Sequence, residues 1–268
     1  MNNNKGIIIG AVMMGAMLVL SIAAPLFTSF NPELVNMSER LLAPCAGHPL
    51  GTDDYGRDLL SRVLFGGRVS FLVGFLTVVA TMILGVVLGM ISGYYKVADQ
   101  IIMRVADGLM AFPVIILSLA IMAVLGASKM NVVIALTVVY VPGMTRVVRA
   151  SVISVKKMEY IEAARASGAS NSRILLLYIL PNIVSPVIVQ ATMTFAYAVL
   201  AEAGLSFLGV GTPPPAPSWG NILSDARSIM STAPWMALFP GLAITITVLG
   251  LNMLGDGLRD RFDPKMKM

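Results

Sequence analysis

The side chains that could do chemistry in this chain are few. Cys45 is the only cysteine and His48 the only histidine. No internal disulfide can form, and neither a zinc cluster nor a His-Glu-x-x-His helix exists. His48 therefore reads as a loop residue rather than a ligand. No lysine follows a glycine, so the backbone cradle and lysine of a phosphate-binding loop are missing and the chain cannot hydrolyse ATP by that means. Gly209-Val-Gly211 lacks the flanking strand and helix of a dinucleotide turn. No nucleophile–base pair stands out, so neither catalytic residues nor metal ligands are expected. The remaining candidates are charged groups in connecting segments. Asp53, Arg57 and Asp58 cluster early, Glu202 stands alone, and Glu162-Ala163-Ala164 precedes Gly168-Ala169.

The elements that hold these groups follow from where charge is absent. Residues of the AVILMFWYC class make up 57% of the 268 residues and DEKR only 12%, against about 25% charged in soluble domains. That excludes a disordered chain, a disulfide scaffold and an ordinary soluble enzyme. Six windows lack Asp, Glu, Lys and Arg: 6–32, 69–95, 108–128, 130–145, 174–201 and 228–255. About 20 helical residues cross a ~30 Å hydrocarbon layer, so five windows suffice alone. The fourth suffices if Val147 and Val148 extend it while Arg146 and Arg149 snorkel to the headgroups. The runs are continuous rather than alternating, which favours helices over barrel strands. The expected fold is an all-α polytopic membrane protein with six transmembrane helices. The first window is too long for a signal peptide and is read as a retained helix.

Placing the N-terminus in the cytoplasm puts thirteen of the nineteen Lys and Arg residues inside and six outside. Both termini are therefore expected in the cytoplasm, and the +5 net charge needs no nucleic acid to explain it. The windows hold no ionisable group, which argues against an ion-coupled secondary transporter.

Five connecting or packing features stand out. Residues 1–68 read as a first helix followed by an outer segment, and 69–268 as a core of five helices. In the outer segment Thr52 or Asp53 can cap a helix over Leu59, Leu60, Val63 and Leu64 that Gly66-Gly67 would stop. It suits either a helix lying on the membrane or direct substrate contact. Gly85, Gly89 and Gly93 share one helix face and allow close packing, within the chain or against a second subunit. Pro213 to Pro217 is expected to be extended. The following residues, with Trp219 and Trp235 as headgroup-level anchors, are expected to form an interfacial helix. Glu202 is expected at the outer end of the fifth helix, as an interfacial residue hydrogen-bonded in the loop packing on that side, or as a gate or substrate-amine contact. The inner segment of about 150–182 is too polar for lipid and reads as a helix–turn–helix hairpin. Its first helix is expected over Lys157 to Ser167, Gly168 as the stop, and Asn171 or Ser172 as the next cap.

Glu162-Ala163-Ala164-x-x-x-Gly168 followed by Ile179-Leu180-Pro181 resembles the EAA motif of permease subunits of binding-protein-dependent ABC importers. Leu50-Gly-Thr-Asp-Asp-Tyr-Gly-Arg-Asp58 with Ser61-Arg62 and Arg68-Val-Ser70, Met103-Arg-Val-Ala-Asp107 with Phe112-Pro113, Leu205-Ser-Phe-Leu-Gly209, and Asn252 to Asp260 with Asp263-Pro264 resemble the dipeptide/oligopeptide/nickel branch. Tyr178 departs from the aliphatic residue usual at its place. The resemblance implies a "C"-type permease with the type I importer fold, in a bacterial or archaeal inner membrane. It also implies a second homologous permease, two cytoplasmic ATPases and an extracytoplasmic solute-binding protein. The chain itself would bind no cofactor, with ATP and Mg on the ATPases. Glu162, Ala163, Ala164, Gly168 and Ala169 would couple to the ATPases. Peptides are the expected solute; nickel or a nickel chelate is the alternative within the branch.

Overall fold

The structure is a computed structural model that describes residues 3–262; Asp263-Pro264, Lys265 and Lys267 lie outside them. In chain order the helices are α1 (Asn3–Ile22), α2 (Ala24–Phe27), α3 (Leu59–Tyr94), α4 (Lys96–Met110), α5 (Val114–Leu125) and α6 (Lys129–Val155). They continue with α7 (Glu159–Ala166), α8 (Asn171–Arg173), a π-helical segment Ile174–Ile179, α9 (Leu180–Phe207), α10 (Trp219–Ala226) and α11 (Trp235–Phe262). Five helices are long and apolar enough to cross a membrane, and six spans result if α4 and α5 count as one broken span.

Two boundaries differ from the sequence reading. The expected surface helix after Asp58 is the first part of α3, which runs unbroken for 36 residues through Gly66-Gly67 and through the 68/69 division. At ~1.5 Å per residue it is about 54 Å long and projects beyond the bilayer. Gly66 and Gly67 stay helical because they leave room for Ser218, Trp219 and Ser21. The α3 cap is Asp58, which accepts from Ser61 N at 2.7 Å; Thr52 and Asp53 close the preceding loop instead.

The third window is also corrected. It holds the last turn of α4 and the 12-residue α5 rather than one continuous helix, and α4 meets α5 at 95°. Pro113 forces the break: it has no N–H to donate and drives Phe112 out of helical geometry. Arg146 and Arg149 do not reach for headgroups. Both lie within α6 and pair with α4, Arg146 with Asp107 at 2.7 Å and Arg149 with Asp99. A nearby carboxylate satisfies a guanidinium better than a stretched path to the interface.

Packing is most extensive between α3 and α6. A Cβ at Gly85, Gly89 or Gly93 would lie 2.5, 2.5 and 2.6 Å from the side chains of Met144, Val148 and Val152. Two rows of residues, each four apart, thus mesh within the chain. α1 runs antiparallel to α11, with Gly250 beside Gly10 and Gly257 beside Ile7, so the first and last helices end together. Arg68 of α3 donates to Ser21 O at 2.8 Å and Ile22 O at 2.6 Å. This covers carbonyls that the end of α1 leaves unpaired.

Both tryptophans bond within the fold. Trp219 is wholly buried; it donates to Val63 O at 2.9 Å and meets Phe71 edge-on. Trp235 donates to Thr52 O at 3.2 Å. Each indole N–H finds a backbone carbonyl, as the buried Trp219 requires and the partly buried Trp235 also achieves. α10 is therefore clamped on α3, α9 and α11 rather than afloat at the interface. The proline run before it turns, with a cis Pro214–Pro215 peptide, instead of extending.

Gly89→Leu is expected to lower the melting temperature of the assembled protein, since overpacking costs about 1–3 kcal/mol or more. Thermal unfolding in nanodiscs measures it, and an unchanged transition would mean that α3 and α6 can separate.

Candidate functional site: an inner hairpin and an outer charged knot

The inner hairpin is built on one buried side chain. Ile161 of α7 has no exposed surface and joins Met90, Tyr94, Val148, Val152, Ile174 and Ile179 in a cluster at the inner ends of α3 and α6. With Ile161 seated, Glu162 and Ala163 face solvent and Ala164 is partly covered. Two alanines give this short helix a smooth face beside one carboxylate.

Its end is a Schellman motif. Gly168 N donates to Arg165 O and Ala169 N to Ala164 O, each at 3.0 Å, with Gly168 at φ +82°. A side chain there would be strained. The next helix is capped by Ser170, one residue before the expected Asn171 or Ser172. α7 itself is shorter at both ends than Lys157 to Ser167.

At the other end the outer candidates fall into two groups. Asp53, Arg57 and Asp58 do come together. Asp53 accepts from Arg57 Nε at 2.6 Å, and Arg62 Nε lies 3.2 Å from the same carboxylate oxygen. Asp225 of α10 accepts from both Arg57 and Arg62 at 3.3 Å. Arg62 is 2% exposed. Burial pushes the Asp225 carboxyl up from its ordinary range, and Arg62 and Arg57 pull it back. Burial and the Asp53 carboxylate push Asp54 up as well. Asp53, Asp54 and Asp225 bring carboxylate oxygens within 4.8 Å of one another, but two guanidinium groups already supply the cations there. Asp58 turns inward to His48 Nδ1 at 2.8 Å, and His48 Nε2 lies 3.3 Å from Glu39. His48 is thus a buried loop residue that ties the outer segment down. The knot welds that segment to α10.

Glu202 stands apart, hydrogen-bonded in the packing around the loop before α10. It lies inside α9 with no exposed surface and accepts from Ser70 of α3 and Ser206, each at 2.8 Å. Ser206 in turn accepts from Thr212 N. The carboxyl fastens α9 to α3 and to the loop before α10. Arg62, Ser70 and Ser206 lie in stretches that carry the resemblance but were given no role in the sequence, and Asp225 was not singled out.

A cavity of about 680 Å³ opens between α5, α6 and α9. Its wall is mainly apolar, with Tyr140, Gln190, Thr194 and Tyr197 as the polar groups. Tyr140 donates to Tyr197 O at 3.1 Å.

Residues 85–268, which include the hairpin, match the family described as binding-protein-dependent transport system inner membrane component. The chain belongs to that family. As an inner membrane component it is a multi-pass transport permease subunit. It is 47% identical to the dipeptide transport system permease protein DppC of Alkalihalophilus pseudofirmus, over all of this chain and 88% of the relative. It is 44% identical to the DppC of Escherichia coli over 98% of this chain and 90% of that one. A chain of the MetNI methionine ABC transporter, solved in inward-facing conformations, matches with TM-score 0.58 at 22% identity. The match covers 76% of this chain and 96% of that one, and it shows the permease fold expected from the sequence.

Asp53→Ala is expected to destabilise this inner membrane component by about 3 kcal/mol, because Arg57 and Arg62 lose a shared carboxylate while buried. The melting temperature reads this out, with Asp54→Asn, a partly exposed neighbour, as the small-effect control.

Proposed function

We propose that this chain is the "C"-type permease of an ATP-driven importer of di- and oligopeptides. It forms one half of the pathway beside a second homologous permease. A solute-binding protein delivers from outside, and two cytoplasmic ABC ATPases hold ATP and Mg. The chain is a non-catalytic subunit without a cofactor of its own. It lies in the cytoplasmic membrane of a bacterium or archaeon, with both termini and the hairpin on the cytoplasmic side.

The observation that carries this reading is the exposed face of α7 on a rigid seat. Glu162 and Ala163 are offered outward while Ile161 is fixed in the cluster at the ends of α3 and α6. A smooth, short, anchored helix suits insertion into a groove on a motor protein. ATP then acts by population shift: the ATPases bind nucleotide more tightly when closed, and closure draws the hairpins together. The peptide substrate rests on the dipeptide permeases among the relatives. The cavity between α5, α6 and α9 supports a pathway wall, since apolar sides with a few polar groups suit a solute of mixed character.

Glu162→Lys is expected to leave membrane insertion intact and weaken ATPase association about tenfold or more, by reversing a charge at the contact. Co-purification of tagged ATPase with the permease measures it; wild-type recovery would remove the coupling role from Glu162.

A further inference from the structure

The hairpin is joined to the membrane helices by more than apolar contact. Tyr94, the last residue of α3, donates its phenolic hydroxyl to Asn171 Oδ1 at 2.7 Å. Lys156, just past α6, donates Nζ to the Tyr94 carbonyl at 2.6 Å and lies 4.8 Å from the centre of the Tyr94 ring. Tyr94 itself is 7% exposed. Asn171 opens the helix that runs unbroken into α9, directly after the Gly168 turn whose bonds tie it to α7. Lys156 sits at the C-terminus of α6 and meets a carbonyl that the end of α3 leaves unpaired, where a cation is favoured. Three elements thus meet on one tyrosine.

The chain beyond Tyr94 gives the contact a direction. α4 begins two residues later, at Lys96, and is held to α6 by the Asp99–Arg149 and Asp107–Arg146 pairs. α4 leads through the 95° break into α5, which lines the 680 Å³ cavity. A displacement of the hairpin therefore reaches a cavity wall through Tyr94 and α4 without an intervening flexible loop.

We propose that Tyr94 is a positioning residue for transport: its hydroxyl latches the hairpin to the α3–α4 junction and carries ATP-driven movement of the hairpin to the pathway wall. Asn171 is the acceptor and Lys156 holds the junction in place. The proposal rests on the coupling role of the hairpin. A latch of this kind is a two-state element that both ends bias, not mere proximity.

The test uses the full complex with its partner permease and ATPases in nanodiscs. Cys45, the free exposed cysteine, is replaced by serine, and a spin label is placed at Leu72→Cys on the exposed side of α3. The fraction of label in the state induced by ATP and vanadate is read alongside ATPase co-purification. Losing one hydrogen bond shifts a two-state balance about fivefold. Tyr94→Phe is expected to lower that fraction about fivefold while ATPase recovery stays at the wild-type level. Asn171→Ala is expected to do the same and Asn171→Asp, which keeps an acceptor, to restore it. The Tyr94→Phe/Asn171→Ala double variant is expected to be no worse than either single one. Should Tyr94→Phe fail to assemble, exposed Asn171 decides alone. Wild-type label fractions in both single variants, or additive losses in the double, would overturn the latch and leave the coupling role standing. Failure of the wild-type ATPases to associate would overturn the coupling role, and the latch with it.

Discussion

The close meeting of α3 and α6 is the constraint that shapes the inner half of the molecule. Inside a bilayer, apolar side chains gain nothing by leaving lipid for one another, so helices associate where backbones can approach and pack. Gly85, Gly89 and Gly93 give that approach, and Met144, Val148 and Val152 fill it. Because the two helices are locked over their inner turns, their ends form one surface. Ile161, Ile174 and Ile179 settle on that surface, and the hairpin acquires a fixed orientation. Without the glycine face the same polar segment would be a loop on two independent helices.

The outer half is held by a different principle. There, buried charge is balanced by buried charge, and indole and hydroxyl groups find partners across elements. Arg57 and Arg62 share Asp53 and Asp225; Glu202 is bonded by Ser70 and Ser206. Such groups are costly to bury alone and specific once paired. They fix the outer segment, α10 and the end of α9 as one cap, opposite the inner hairpin, with the wall of the cavity between them.

That wall contains the least regular span. The break at Pro113 turns α4 away from α5 by 95°, which frees α4 to carry Asp99, Arg104 and Asp107 alongside α6 rather than into lipid. Irregular backbone at membrane depth is tolerated where it borders protein or a cavity, and α5 borders the cavity shared with α6 and α9.

Much of this was legible in the residues. Charge-free windows located the spans, because lipid excludes ions whatever the tertiary arrangement. Glu162-Ala-Ala with Gly168 located the hairpin, since only glycine suits a φ of +82° at a helix stop. Gly85, Gly89 and Gly93 were identifiable as a packing face by spacing alone. Their partner was not, because a small-residue stripe states that something comes close without stating what. Trp219 was misplaced at the interface, and the partners of Trp235 and Glu202 were not foreseen, for the same reason: residue type fixes the need for a hydrogen-bond partner, and only the fold reveals whether water, headgroup or a buried Val63, Thr52 or Ser70 meets it. Composition and local spacing thus determined that this chain crosses a membrane and holds out a hairpin. Which groups more than a hundred residues apart satisfy one another was decided by tertiary structure, because pairing energy depends on distance in space and not on distance along the chain.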